Sequence, residues 1–593
     1  MHLYMKKITN ELLKNNVALR DLFEKREKVL SAIFLCFSIF IIWVWVYNRV
    51  DKFSWQTPIN YSGDTWLILG VAKAYMDGDI APVLMKSVEH LNAPFSANWN
   101  DWPVIEEWIF AIMGWFGKVV GLFAAANLML MLAHILAGLS FWYVGRELKY
   151  RPAFVFIGAI LFAFPYYIFS RGLPHLNLSY YWHIPLILLV SWWAYSPVPI
   201  KNTSRKWFLA IAVALVSGTL SVYYTWMFVQ FLGFAALIHL ARKQYSSIKF
   251  PLILIIVVTT GFFIMNADTF LYSFLHGKNS DAVSRHLSGL EVYGLKLPEL
   301  VFPAYHSWHH WAQYGQIHYF QPAFIKGEIG SPYLGLIGLI GLGWLTVIGL
   351  YRFLQGKFEL IPVQAWQTLW IILFSVVGGI NLLLGAWGLI LFRGTNRYSI
   401  FILAIALLFL VRQLSRKCPD KWVIPLALVI MVVGLWDQLP ARASAAAIRQ
   451  TASHVQFDHS VFQQLESQLP ANSMIFQLPV ADFPEIPPIV KMADYEHFRP
   501  YLFTQNLHYS YGTTKGRGDA KWQKIVGQLT PSEIVNRLES YGFGAILINR
   551  KGYEDRGVNL IGEMLKTNRK KLIDNEEWVV IKLSPATSPA FPQ

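Results

Sequence analysis

Eleven stretches of this chain carry apolar residues over lengths that cross a bilayer, which leaves few folds open to it. A helix rising 1.5 Å per residue needs about 20 residues to cross about 30 Å of hydrocarbon. Runs of that order lie near 31–49, 119–145, 152–170, 178–196, 207–223, 225–241, 249–270, 333–352, 366–386, 398–413 and 421–438. Of the 593 residues, 55% are hydrophobic and only 15% charged, more apolar than soluble proteins of this size. The expected fold is a polytopic α-helical membrane protein with about eleven spans.

Basic residues test that count, because Lys and Arg gather in short cytoplasmic loops. Lys6, Lys7, Lys14, Arg20, Lys25, Arg26 and Lys28 precede the first run. Arg146, Lys149 and Arg151, then Lys201, Arg205 and Lys206, then Arg242, Lys243 and Lys249 fall in alternate loops, as do Arg352 with Lys357 and the group from Arg412 to Lys421. The reading puts the N-terminus inside and the C-terminus outside. This asymmetry accounts for much of the formal charge of +15, so nucleic acid is not an expected partner. The first apolar run follows some thirty polar residues and reads as a signal anchor. The two cysteines, Cys36 and Cys418, offer neither a disulfide framework nor a thiolate metal site.

Residues 1–30 read as a cytoplasmic amphipathic segment on the membrane surface, and 31–438 as the membrane domain. That domain has two long outer loops, 50–118 and 266–332, of the length that tends to carry function. From 439 to 593 charges of both signs appear and helical pieces (457–468, 531–541, 557–569) alternate with strand-like ones (Ser473 to Leu478, Gly544 to Asn549, Trp578 to Leu583). This is a C-terminal soluble α/β domain.

Chemistry-bearing residues gather in the outer segments. Asp64, in Tyr61-Ser62-Gly63-Asp64-Thr65-Trp66, lies closest to the first span; it reads either as the N-cap of a helix over Thr65–Tyr75 or as a general base facing a lipid-borne substrate. Arg171 and His175 occupy a short turn between two spans, either snorkelling to the interface or lining a cavity. Arg393 and Arg397, at the outer mouth of a span, breach the usual preference for basic residues inside. On one helical face at i and i+4 they suit a phosphate; pairing with acidic loop residues is the alternative. Glu328 is either a second carboxylate or a helix N-terminal charge. His306 and His310 share a helical spacing that suits zinc but equally suits interfacial packing. Asp77-Gly78-Asp79 reads as a helix end or an acidic metal pair. No Walker loop, dinucleotide fingerprint or Gly-x-Ser-x-Gly elbow is present, which disfavours soluble nucleotide chemistry.

Taken together, Ser62-Gly63-Asp64, the Arg171–His175 turn, the long loop ending in Glu328–Tyr333, the Arg393 and Arg397 pair and the outer α/β domain resemble the GT-C superfamily of membrane glycosyltransferases, in bacterial members of the YfhO-like or a related type. The resemblance implies a polyprenyl-phosphate-sugar donor, such as an undecaprenyl phosphate, and a glycan, lipid or protein acceptor in the cell envelope. It places the chain in the bacterial cytoplasmic membrane with its α/β domain periplasmic. The second Asp-x-Asp or Glu-x-Asp motif of oligosaccharyltransferases is missing here, so the likeness is to the metal-independent, lipid-monophosphate branch, with no cofactor and an inverting transfer.

On this expectation Asp64 is the general base, Arg393, Arg397 and Arg171 bind the donor phosphate, and His175, Glu328, Tyr333, His306, His310 and Asp101 line the cavity. Arg499, His508, Tyr509, Tyr511 and Arg517 are read as an acceptor platform or lid. Two rivals stand beside the transferase: a lipid-linked sugar flippase, whose charges line a transbilayer path, and a non-catalytic envelope assembly protein. No internal repeat of the transporter kind is found.

Overall fold

The computed structural model describes residues 17–102, 106–303, 309–328 and 330–592. Among them seven helices are long and apolar enough to cross a membrane: Lys25–Tyr47, Leu122–Glu147, Pro152–Arg171, Val222–Ala241, Tyr245–Met265, Gly335–Leu354 and Thr395–Lys417. The other four expected spans are helical but shorter, Ile184–Ala194, Arg205–Gly218, Val363–Ser375 and Val423–Gln438. The run 366–386 shows why. Its helix breaks after Ser375 and resumes over Ile380–Ala386. The freed backbone is satisfied within the protein, since Ser375 O accepts from the Leu295 amide (2.8 Å) and the Thr395 hydroxyl (2.7 Å), the condition for irregular backbone at membrane depth. This is a multi-pass membrane protein.

The helix Val17–Tyr47 is continuous over 31 residues, so from Val17 onward the expected amphipathic segment runs directly into the first span. Small residues let the helices close up: a Cβ on Gly218 would stand 2.3 Å from Val258 O, and one on Gly261 2.8 Å from Leu215 O, the close backbone approach that membrane helices use in place of a hydrophobic drive. The basic loops meet at one end, where Arg146 pairs with Glu27 (2.6 Å) and Arg151 with Asp420 (3.0 Å).

The first long loop holds the helices Lys52–Gln56, Asp64–Asp77 and Glu107–Val120 and a two-stranded antiparallel ribbon, β1 (Ser87–Val88) and β2 (Ala97–Asn98). The C-terminal region builds a five-stranded sheet from β3 (Ser473–Leu478), β4 (Leu507–Tyr509), β5 (Phe543–Asn549), β6 (Lys571–Asp574) and β7 (Trp578–Lys582), in the order β4-β3-β5-β7-β6. β4, β3 and β5 run parallel; β7 is antiparallel to β5 and β6. Every residue of β5 is buried, as a central strand covered on both faces requires. One face packs Phe476, Ile546, Ile548 and Val579 against the helices Gly518–Gly527, Pro531–Ser540 and Val558–Leu565. The other turns Ile475, Ala545, Leu547 and Val580 into the core that is continuous with the membrane domain, through Val461, Phe462 and Leu465 of the helix Ala445–Gln468.

The first loop and the α/β domain are interlocked. Leu91 pairs with Tyr509 in a parallel bridge on the free edge of β4. The Trp99 indole donates to Gly512 O (2.7 Å), and the Tyr61 hydroxyl to Asp458 (2.7 Å). Asp458 is itself gripped by Arg499, fully buried between the rings of Trp66 and Trp578 and also paired with Glu577. Arg499, Tyr509 and Tyr511 are therefore interior struts and form no surface platform.

Candidate functional site

Asp64 is set by a short run of local constraints. The buried side-chain amide of Asn127, in a membrane helix, donates to Trp55 O and Thr57 O and accepts from the Ile59 amide. The Asn60 side chain then accepts from the Ser62 amide and from the hydroxyls of Ser62 and Thr65. Gly63 follows as N-cap with φ +54°, a conformation L side chains rarely adopt. Asp64 is thus the first helical residue, and its carboxylate makes no capping bond. The N-cap alternative is set aside. A Gly63→Ala substitution is expected to cost about 1–3 kcal/mol of stability and to displace Asp64, measured by thermal unfolding alongside activity.

The Asp64 carboxylate is half-buried, and His175 Nε2 faces it at 3.6 Å. Burial raises its pKa above the ordinary carboxylate value, helped by the negative charges of Glu485 and Glu328. Burial and the positive charges of Arg171 and Arg397 push His175 down to about 4, so the imidazole facing Asp64 is neutral at pH 7.

Beside this pair lies a cluster of two guanidiniums on one carboxylate. Glu328 bridges Arg171 (2.7 Å) and Arg397 (3.0 Å) and accepts from the Asn396 side chain (2.9 Å). Although burial opposes ionisation, Arg397 and Arg171 hold the Glu328 carboxyl well below the usual range. Arg171 is only 2% exposed; it is paired in the interior and does not snorkel. The Arg171 guanidinium also lies over Tyr167 (5.3 Å) and that of Arg397 over Tyr223 (4.5 Å). Glu106 and Glu299, buried nearby, are both raised to about 7 by desolvation.

Arg393 and Arg397 do not share a helical face. Between them only Thr395–Tyr398 begins a regular element, a 3₁₀ turn, and Arg393 lies in irregular chain ahead of it. That chain is pinned by Asn381 donating to Phe392 O (2.7 Å), by the Phe392 ring stacked on Trp226, and by the Thr395 hydroxyl. Arg393 turns to the α/β domain, 3.6 Å from Glu485 and over the Tyr293 ring. Arg285 of the second long loop completes this second cluster, donating to both Glu485 oxygens (2.7 and 3.3 Å). The pairing alternative for Arg393 and Arg397 is the one observed, and each cluster keeps one positive charge in excess.

Not every residue expected in the cavity reaches it. The buried Tyr333 hydroxyl donates to Asp437 (2.7 Å), which also caps the helix Gly335–Leu354 through the Leu336 amide. Asp101 is gripped by Arg517 (2.7 and 2.8 Å) and Asn279 (3.0 Å), a strut between the first loop and the α/β domain. His310 is exposed on the helix His309–Gly315, and His306 lies outside the described residues. Asp77 pairs with Lys73 and Asp79 with His90 around a left-handed Gly78 that ends the helix. Among the described residues no group of three or more His, Cys, Asp or Glu is placed to hold a metal. Missed in the sequence were Glu485 and Asp494, whose charges the tertiary fold brings to bear on Asp64, and Arg285, which pairs with Glu485.

No family model matches the chain, and no curated protein matches it. Among solved structures it is similar to ArnT from Cupriavidus metallidurans bound to undecaprenyl phosphate, at 11% identity and a TM-score of 0.47, covering 95% of this chain and 99% of that one. It is also similar to the archaeal oligosaccharyltransferase AglB from Archaeoglobus fulgidus, in complex with an inhibitory peptide and a dolichol-phosphate, at 11% identity and a TM-score of 0.43, covering 89% and 70%.

Proposed function

We propose that this protein is a membrane glycosyltransferase, moving a sugar from a polyprenyl-phosphate-linked donor to the hydroxyl of a cell-envelope glycan, lipid or protein. The site faces the outer side of the bacterial cytoplasmic membrane, with the N-terminus in the cytoplasm. The carrying observation is Asp64: a half-buried carboxylate with a raised pKa, facing a neutral imidazole 3.6 Å away, beside arginine clusters that retain positive charge.

Each part has a chemical task. As the acceptor oxygen attacks the anomeric carbon, its proton passes to Asp64; the bond from that carbon to the phosphate oxygen breaks, and its electron pair leaves on the phosphate. Arg397, Arg171 and Arg393 supply positive charge where the phosphate gains negative charge, fixed in advance by Glu328, Glu485 and the tyrosine rings. Attack from the face opposite the leaving phosphate inverts the anomeric centre. His175, neutral and 3.6 Å away, leaves the Asp64 carboxylate its charge. A flippase needs charge along a transbilayer path, whereas the residues here converge at one end of the bundle.

The reading is tested by sugar transfer from undecaprenyl-phosphate-linked hexoses to envelope acceptors, followed against pH. Because Asp64 must be ionised and its pKa is raised, kcat/KM is expected to fall with acid along a limb above pH 4. A purified, folded protein that transfers from no such donor overturns the assignment, and a profile flat down to pH 4 removes Asp64 as base.

A further inference from the structure

The helix Gly335–Leu354 runs away from the second long loop, and after the 3₁₀ turn Phe358–Leu360 the helix Val363–Ser375 returns beside it. The two touch at Gly349, where a Cβ would stand 3.3 Å from that of Ala365. Around this contact lies a cleft of about 330 Å³, walled by Leu345, Leu350, Phe353, Ile361, Trp366 and Thr368. Leu350, Phe353 and Trp366 are exposed, so the cleft opens on the outside of the bundle. It sits toward the end that carries the basic residues Arg352 and Lys357, at the far end of these helices from Glu328.

Polar groups break the apolar lining at two levels. Of the two threonines that line the cleft, Thr346 spends its hydroxyl on Leu342 O (2.9 Å), one turn back in its own helix. Thr368 does not. It is 6% exposed, and its buried hydroxyl has no partner among the described residues, a cost in an apolar environment that an acceptor in the cleft would remove. At the mouth stands Arg352, one residue before Phe353, whose guanidinium donates to Leu360 O beside Ile361. Arg146 and Arg151, in the other basic loops, have the carboxylates of Glu27 and Asp420. Among the described residues Arg352 has none, although Glu359 lies in the turn that follows it.

We propose that this cleft binds one anionic diacyl phospholipid, with an acyl chain between the two helices, a glycerol ester carbonyl accepting from the Thr368 hydroxyl, and the phosphate on Arg352. Basic pockets between membrane helices recognise anionic head groups in this way. The spacing suits such a molecule: Thr368 lies about 7 Å along the helix axis from Val363, and one head-group layer is roughly 5–8 Å thick. A polyprenyl phosphate has no ester for Thr368, and a zwitterionic lipid brings a second cation toward Arg352. With the N-terminus in the cytoplasm, this lipid belongs to the inner leaflet. It would brace the helix whose other end, through Ser375 O and the Thr395 hydroxyl (2.7 Å), holds the chain leading into Arg397. The site is separate from Asp64 and independent of the transferase reading.

The test is native mass spectrometry of the full-length protein released from nanodiscs of mixed phosphatidylglycerol and phosphatidylcholine. Wild type is expected to retain a single phosphatidylglycerol in about fivefold excess over phosphatidylcholine, the worth of one arginine near a charged surface. Arg352→Gln is expected to lose that preference. Thr368→Val, which keeps the shape and removes the hydroxyl, is expected to weaken retention of both lipids; a threonine with only a structural part would leave retention unchanged. Leu350→Trp fills the cleft from its exposed side and is expected to abolish retention, whereas Val347→Trp, exposed on the same helix but outside the cleft, is expected to preserve it. Thermal unfolding shows which variants are folded, and Arg352→Gln and Thr368→Val decide the matter if Leu350→Trp is not. No retained lipid, equal retention of the two head groups by wild type, equal loss in Val347→Trp, or a polyprenyl phosphate retained in place of the phospholipid overturns the proposal.

Discussion

Asp64→Asn is expected to lower sugar transfer about 100- to 10,000-fold, the contribution of a positioned general base, with donor binding unchanged. The amide is isosteric with the carboxylate but has no basic lone pair. Among the described residues Asp64 holds no cap and no ion pair with arginine that the substitution would break; the neutral His175 stands 3.6 Å away. Two further readouts separate loss of chemistry from loss of structure. The acid limb of the pH profile is expected to vanish with the group that causes it. Stability moves the other way. A carboxyl whose folded pKa lies above its unfolded value of about 3.9 is destabilising once ionised, a cost that grows as pH rises through that interval, so Asp64→Asn is expected to unfold at a slightly higher temperature than wild type at pH 7. A variant equally active, or one that unfolds well below wild type, removes the assignment.

The second large effect belongs to Glu328. Its alanine variant leaves Arg171 and Arg397 facing each other in the interior without their shared counter-charge, a loss expected to cost about 3–5 kcal/mol. Because the side chains of Glu328 and Arg397 remain 16% and 15% exposed, the lower end of that range is the expected one. Glu328→Gln, which keeps an acceptor for Asn396 and one arginine, is expected to lose less. Thermal unfolding in nanodiscs checks both, and an alanine variant as stable as wild type disposes of the cluster as a structural element. The pH dependence has a definite sign. With a folded pKa well below the unfolded value of about 4.3, the ionised Glu328 stabilises at every pH above that value, and this contribution is lost only as pH falls below it.

How much of this the sequence discloses depends on the range of the interaction. Periodicity and length are local, and all eleven apolar runs are helical; what they could not show is that the run at 366–386 breaks at Val376–Gly379, because the compensating partners, Leu295 and Thr395, are distant in the chain. The strands β3, β5 and β7 stand out as buried apolar runs, whereas β4 and β6, of three and four residues at the sheet edges, carry too little pattern to be seen. The site divides along the same line. Asp64, Arg171, His175, Glu328 and Arg397 were readable as ionisable groups at the ends of spans, where charge needs a reason. Tyr333 and Asp101 also stand in outer segments, and the structure pairs them with Asp437, Arg517 and Asn279 from other parts of the fold. Asp494 and Glu485 carry no local signal at all.

The bridge from Leu91 to Tyr509 has a bearing on how the protein is made. Trp99 and Gly512, beside that bridge, are 413 residues apart, and at about 5–20 residues per second translation needs roughly 20–80 s to cover such a distance. Throughout that interval the loop carrying Asp64 is already outside the first span but lacks the sheet edge, the Asp458 acceptor and the aromatic packing that shape it. The nascent chain is thus a membrane anchor with an unfinished loop until the last domain folds onto the first loop. Chains cut short by truncation or stalled synthesis would be inserted with that loop still unfinished.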